Sequence, residues 1–401
     1  MRILLLTPAL PYPPHQGGAL RNFGILSGLR AAGHDVTLLS FGERVGSVPR
    51  ELGDQVEIVT PPPRTPLHRI RDLALSRQPD LAGRLESPAF RSRLRDLLGR
   101  TQFDLIQFEG LEMAIYLGLA RQHQPNAKLI YDAHNAEYTL QQAIATVESG
   151  SRKRFPQALY SRVQALRISR FERDICIHSD AVIAVSHEDA AALSPFRPDQ
   201  QVYVLANGIF ADEYSAAQPS VELGDAVLVF TGKMDYRPNV DAMQWFTNAI
   251  LPKIRAQCPD ARLYIVGQKP HASLQALRAD ESVQVTGWVD KVQPFLHAAQ
   301  VYVAPLRMGS GTRLKIMEAM AAGCAVVATT AAVAGLDAEA RAALVIADGD
   351  SAFTESVVRL LKAPEQRQKL GKQAQAVVRQ HYDWSALIPR LIAIYRDIGL
   401  G

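Results

Sequence analysis

Residues Gly309 to Gly323 read Gly-Ser-Gly-Thr-Arg-Leu-Lys-Ile-Met-Glu-Ala-Met-Ala-Ala-Gly, a glycine-rich loop running into a short helical pattern that carries cations and a carboxylate. Strand-like Val301 to Ala304 precedes it and Ala325 to Thr329 follows, so the loop lies where a strand hands over to a helix. Unpaired backbone N–H groups converge at such a junction, and with the helix dipole they stabilise an anion. Gly309 and Gly311 admit a ligand close to the backbone of Ser310 and Thr312, while Arg313 and Lys315 can neutralise a pyrophosphate. Glu318 can accept both hydroxyls of a vicinal diol such as a ribose. On this segment alone, a helix start with solvated charges explains the residues equally well.

Further segments offer matching chemistry. Leu6-Thr7-Pro8 closes the opening strand pattern, and a proline-rich loop leads to Gly17-Gly18-Ala-Leu-Arg21, a helix start that again presents amides to an anion. It lacks the three spaced glycines of a dinucleotide fingerprint. Tyr131-Asp-Ala-His134-Asn135-Ala-Glu137 places His134 directly after a strand, where an imidazole can donate to or orient a hydroxyl near neutral pH. Glu109, Glu112 and Asn135 are candidate contacts for a hydroxyl-bearing acceptor, and His187 is read in the same way. Exposed carboxylates at helix starts are the plainer account of the two glutamates. In Phe230-Thr-Gly232-Lys233-Met-Asp-Tyr-Arg237-Pro-Asn239, Lys233 and Arg237 can reach a phosphate. Gly287-Trp288-Val289 offers backbone groups to a nucleobase edge. Asp348-Gly349-Asp350 is read as a turn and helix N-cap rather than as a metal-holding pair.

These segments need a scaffold that brings several strand ends together. A chain of 401 residues with 47% hydrophobic content is too long for one ordinary core, so two domains are expected. Short apolar runs alternate with longer amphipathic ones, which predicts α/β architecture with parallel sheets: Ile3–Leu6, Val36–Leu39, Leu105–Phe108, Leu129–Asp132 and Ala181–Val185 in the first half, then Val227–Phe230, Leu263–Val266 and Val301–Ala304. The pattern pauses at Ala206-Asn207-Gly208, and the polar stretch from Ala211 to Gly224 is read as the linker. The expected organisation is a doubly wound, Rossmann-like domain over 1–208, a second over 209–383, and a helix over 384–401 that packs back on the first. Ligands of such sheets bind outside the carboxyl ends of the strands.

Composition excludes several classes. Forty-four basic and forty acidic residues give a net charge of +4, without an aromatic-basic stripe, so no nucleic-acid partner is expected. The arginines concentrate from Arg64 to Arg100 and from Arg152 to Arg173, as a solvated helical face or as a peripheral contact with an anionic membrane. Cys176, Cys258 and Cys324 are scattered, which argues against a disulfide framework and for a reducing cytosol. The apolar run Ile3–Leu6 is too short for a signal segment, and the uncharged run Ala319–Leu336 reads as a helix end, a stop at Gly323 and a buried strand. The expected location is cytoplasmic, with any membrane contact peripheral and on the inner face.

Taken in order, Gly17-Gly18, His134 after its strand, Asn207-Gly208, Gly232-Lys233, Leu263-Tyr-Ile-Val-Gly267, Gly287-Trp288 and Glu318-Ala-Met-Ala-Ala-Gly323 with Val326-Val327 resemble the retaining, nucleotide-sugar-dependent glycosyltransferases of family 4, which have the GT-B fold. The resemblance covers essentially the whole chain. It implies transfer of a glycosyl group from a nucleoside-diphosphate sugar to a hydroxyl of a glycan, glycolipid or small molecule, with no metal and no cofactor beyond the donor co-substrate. Lys233 would hold the phosphates, Glu318 the ribose, the loop Gly309–Thr312 the sugar, and Gly17-Gly18 would close on the phosphates while His134 faces the sugar. Two positions depart from the family pattern. Ser310 stands eight residues before Glu318, where a glutamate is usual, and Asn239 stands where a second phosphate lysine is usual, a charge that Arg313 or Lys315 would replace. An epimerase on the same scaffold and a non-catalytic nucleotide-sugar-binding protein are the alternatives.

Overall fold

The computed structural model describes residues 1–14, 17–43, 49–63, 78–149, 155–215, 221–308 and 314–400, with the side chains of 144–149, 155–159 and 278 outside that description. Gly309, Ser310, Gly311, Thr312 and Arg313, together with much of the first arginine-rich stretch, therefore lie outside the described residues.

The chain divides into two units, one of Met1–Gly208 with Leu387–Gly401 and one of Ile209–Ala386. Among the described residues the first unit has seven strands, β1 (Arg2–Thr7), β2 (Asp35–Phe41), β3 (Val56–Val59), β4 (Leu105–Glu109), β5 (Lys128–Ala133), β6 (Ala181–Ala184) and β7 (Val202–Val204). They form one sheet in the order β3-β2-β1-β4-β5-β6-β7. Every pairing is parallel, with Ile3 of β1 opposite Val36 on one side and Leu105 on the other. Helices cover both faces of such a sheet, which is why β4 and β6 are buried throughout rather than alternately.

The second unit repeats the scheme with six described strands, β8 (Val227–Thr231), β9 (Arg262–Val266), β10 (Val283–Gly287), β11 (Val301–Ala304), β12 (Val326–Ala328) and β13 (Val345–Ile346), in the order β10-β9-β8-β11-β12-β13. In each sheet the winding reverses beside the first strand, between β1 and β4 and between β8 and β11. Loops leaving the two strands diverge there and open a crevice at their carboxyl ends, so these two points are where each unit can hold a ligand.

Two helices of the second unit position polar side chains near its switch point. Leu314–Ala321 buries Ile316, Met317, Ala319 and Met320, which leaves Lys315 and Glu318, three residues apart, together on its half-exposed side. It ends at Gly323 (φ 80°), whose left-handed conformation lets Cys324 N–H reach Ala319 O at 3.0 Å and Gly323 N–H reach Met320 O at 3.0 Å, the expected stop. The second helix corrects the linker expectation: Ala211–Ser215, expected to be irregular, is helical. Its start is fixed by Ala211 N–H on Asp383 Oδ2 at 2.8 Å and by the Ile209–Asp383 bridge, contacts about 170 residues away in the sequence that local pattern cannot reveal.

The last helix, Trp384–Asp397, buries Leu387, Ile388, Leu391, Ile394 and Tyr395. From Leu387 onward it belongs to the first unit. Gly28 permits the approach, since a Cβ there would fall 2.2 Å from Ile388 Cγ1, and Tyr395 OH donates to Gln107 Oε1 at 2.5 Å. No described helix is long and apolar enough to cross a membrane.

Candidate active site

The crevice of the second unit is lined from three directions. Gly232 follows β8 with φ 147°, and a Cβ there would lie 2.6 Å from Lys315 Nζ and 2.9 Å from Asn239 Nδ2. The missing side chain is thus the space into which the ammonium fits. Lys315 Nζ donates to Asn239 Oδ1 at 2.7 Å and stands 4.4 Å from the Phe230 ring centroid, a cation–π contact. Asn239 Nδ2 in turn donates to Lys233 O at 2.8 Å. The buried Asn239 therefore carries no charge of its own but fixes both the Lys315 head group and the Lys233 peptide. The Lys233 side chain is exposed, 3.6 Å from Asp235, and Arg237 is the exposed first residue of the helix Arg237–Trp245.

One turn beyond Lys315, Glu318 Oε1 accepts from Tyr214 OH at 3.0 Å. Burial raises the Glu318 pKa above the usual carboxylate value, and the Tyr214 hydrogen bond and the Lys315 charge offset that only in part. At the end of β10, Trp288 projects into solvent, 70% exposed, beside the half-buried Val289. Asp348 accepts from Thr330 N–H and Thr330 Oγ1, Gly349 is the N-cap of Asp350–Lys362, and Asp350 pairs with Lys253, so the aspartates serve a turn and a helix start.

The crevice of the first unit holds a buried charge network. Arg21 grips both oxygens of Asp132, Nε to Oδ2 at 3.0 Å and Nη2 to Oδ1 at 2.7 Å, with exposures of only 1% and 0%. Its remaining Nη1 ties down the Asn207 turn through Leu205 O, Ala206 O and Asn207 Oδ1. Gln107 Nε2 donates to Glu109 Oε1 at 2.7 Å, and His134 Nε2 meets Glu109 Oε2 at 3.2 Å. The Asn22 amide, oriented to satisfy its neighbours, donates to Glu109 Oε2 and Gly18 O. His134 keeps about a fifth of its side chain exposed (21%), and its Nδ1 lies 3.8 Å from where a Gly18 Cβ would be. Burial alone disfavours the imidazolium, but the Glu109 hydrogen bond and charge, with Asp132, outweigh it and raise the His134 pKa. Glu109 is itself raised, by burial first and Asp132 second. Ligand atoms of Glu109, Asp132 and His134 converge within 4.8 Å, close enough for a cation, but the Arg21 guanidinium already occupies both Asp132 oxygens.

Several expected contacts are placed differently. Glu109, expected as an acceptor contact on an exposed helix start, is instead fully buried as the last residue of β4, with its carboxylate on His134. Glu112 pairs with Arg84 at 2.7 Å, and Asn135 donates to Glu137 Oε1 at 3.1 Å. His187 is the exposed first residue of a helix capped by Ser186. Gly17 and Gly18 open the helix Gly17–Ala31. Sequence reasoning assigned no role to Arg21, Asp132 or Tyr214. The first two lay inside quoted motifs and carried a faint signal, an arginine in the first turns of a largely apolar helix and an aspartate closing an apolar strand; Tyr214 carried none.

Two parallel Rossmann-like sheets with polar clusters at their switch points define the GT-B class of glycosyltransferases. The solved Anabaena HepE, in complex with UDP and glucose, shares this fold at a TM-score of 0.63 and 14% identity, over 99% of this chain and all of that one. Residues 17–213 match the family described as Glycosyltransferase Family 4 and residues 225–363 match Glycosyl transferases group 1, and the chain belongs to this glycosyltransferase family. Among its relatives, an uncharacterized 44.6 kDa protein in the cps region of Klebsiella pneumoniae is 21% identical over 95% of this chain and 96% of its own length. A phosphatidyl-myo-inositol mannosyltransferase of Mycolicibacterium smegmatis is 32% identical over 37% of this chain and 40% of its own length.

Proposed function

We propose that the protein transfers a glycosyl group from a nucleoside-diphosphate sugar to a hydroxyl of a glycan or glycolipid, with retention of anomeric configuration and without a metal ion. The observation that carries this reading is the Lys315 ammonium seated in the space left by Gly232, one turn before Glu318, at the β8/β11 switch point. Lys315 and Lys233 neutralise the diphosphate, Glu318 accepts the ribose diol, and the backbone beside Trp288 and Val289 meets the base. To Gly309–Arg313 we assign the remaining contacts to the sugar and phosphates, on their sequence alone. His134, held by Glu109, serves a substrate hydroxyl at the first unit's own switch point.

Retention follows when the acceptor attacks the face from which the leaving group departs. The bond from the anomeric carbon to the diphosphate oxygen breaks, the bond to the acceptor oxygen forms, and the acceptor proton passes to the departing phosphate. Negative charge grows on that phosphate in the transition state, so fixed cations there accelerate the step rather than merely tighten binding. UDP and glucose bound to HepE, and the acceptor class in the names of the mannosyltransferase relatives, support this choice of substrates.

We also assign peripheral contact with an anionic membrane to the helix Phe155–His178. Arg162, Leu166, Arg170, Arg173 and Ile177 recur on one face, and Leu166 and Ile177 are 62% and 56% exposed.

Incubation with UDP-, GDP- and ADP-sugars and glycolipid acceptors tests the reaction. Expected are acceptor-dependent release of nucleoside diphosphate, a product whose anomeric configuration by NMR matches the donor, persistence in EDTA, and a loss of kcat/KM in Lys315→Ala of about a hundredfold. Epimerised donor without transfer, or binding without turnover, would refute it.

A further inference from the structure

Tyr214 sits in a stretch that carries no sequence motif, on a helix only five residues long, yet that helix is tied by its backbone at the start and by side chains along its length. Upstream, Ile209 N–H donates to Tyr382 O at 2.9 Å and Ala211 N–H to Asp383 Oδ2 at 2.8 Å. Along the helix, Arg379 Nη2 donates to Ser215 Oγ at 2.8 Å and lies 3.2 Å from Asp212 Oδ1, side-chain contacts on either side of Tyr214. The helix Pro364–His381 and the segment after it therefore act as the mould that aims the phenol. Its hydroxyl meets Glu318 Oε1 at 3.0 Å.

A glutamate side chain has three rotatable bonds, and an unanchored carboxylate would have to surrender that freedom each time a ligand bound. A diol is recognised by two hydrogen bonds at once, so the plane of the carboxylate matters as well as its position. With one oxygen tied to a fixed phenol, the second oxygen and the remaining lone pairs are presented in a set direction. We propose that Tyr214 is a positioning residue of the donor site, whose hydroxyl orients Glu318 for the two hydroxyls of the nucleotide ribose. The inference rests on the reading of Glu318 as the ribose carboxylate.

The test measures calorimetric affinities of UDP, GDP and ADP, and of their 2′,3′-dideoxy forms, for wild type, Tyr214→Phe and Glu318→Gln. Tyr214→Phe keeps the ring and removes only the hydroxyl. For the ribonucleotide that binds wild type, its affinity should fall about tenfold, the order of the side-chain freedom that an unanchored Glu318 surrenders on binding. The dideoxy form should bind wild type and Tyr214→Phe equally, and in turnover KM for the donor should rise while kcat holds. Unchanged ribonucleotide affinity in Tyr214→Phe, or equal losses for ribo and dideoxy forms, overturns the positioning role, the second pattern being that of general damage to the fold. If Glu318→Gln instead loses no preference for ribo over dideoxy forms, the ribose reading of Glu318 falls, and the inference with it. Failure of all three nucleotides to bind wild type would dismiss the donor site as a whole.

Discussion

At the scale of single residues, both crevices use a neutral or oppositely charged partner to fix a charge that burial would otherwise discourage. Asn239 holds the Lys315 ammonium, and Glu109 holds the His134 imidazolium. The second pair has a pH signature. Folding raises the His134 pKa, so its stabilising contribution is fully present below the ordinary value of about 6.5 and is lost as pH rises through the elevated folded value. The unfolding free energy of the wild type should therefore fall more steeply with pH above neutrality than that of His134→Gln. In Glu109→Gln, burial should prevail and bring the imidazole pKa down, which an NMR titration of the ring would report. Identical pH slopes in wild type and His134→Gln would show that the pair does not couple folding to protonation.

At the scale of elements, helical spacing decides which residues act together. Lys315 and Glu318 share a face because they are one turn apart, and the same rule lines up Arg162, Leu166, Arg170, Arg173 and Ile177. The second stripe leaves two large aliphatic side chains among three exposed arginines, a combination that suits a lipid headgroup layer better than water. Cosedimentation with vesicles containing anionic phospholipid should capture the wild type in a salt-sensitive way. Arg170→Glu with Arg173→Glu should abolish capture, Leu166→Asp with Ile177→Asp should weaken it about tenfold or more, and transfer to a soluble acceptor should stay at the wild-type level. Equal capture of all three proteins would show that this face has no part in membrane contact.

At the scale of the molecule, both sheets reverse their winding beside their first strand, and both polar clusters stand there. Helix Trp384–Asp397 shows that sequence order and unit membership part company near the C-terminus. Its residues from Leu387 onward close the first unit, although they follow the second in the chain. Each large apolar side chain buried there contributes about 1.5–3 kcal/mol, so removal of Leu387–Gly401 should unfold the first unit and spare the second. Hydrogen exchange should then show lost protection in Gly17–Ala31 and β4 with β8–β11 unaffected; loss in the second unit alone would contradict the assignment.

Local sequence was enough to specify the strands, the two parallel sheets, the stop at Gly323 and the helix face of Lys315 and Glu318, because each of these depends on short-range periodicity or on a residue's own backbone preference. Apolar runs such as Leu105–Phe108 are legible since a doubly covered strand must be hydrophobic throughout. It took the folded chain to bring Arg21 to Asp132 across 111 residues and Tyr214 to Glu318 across 104, and to bury Glu109 against His134 rather than expose it. Those contacts are set by which strand ends become neighbours in a sheet and which helices pack over them. Polar residues that meet through space leave no periodic trace along the chain, and there the legibility of the sequence ends.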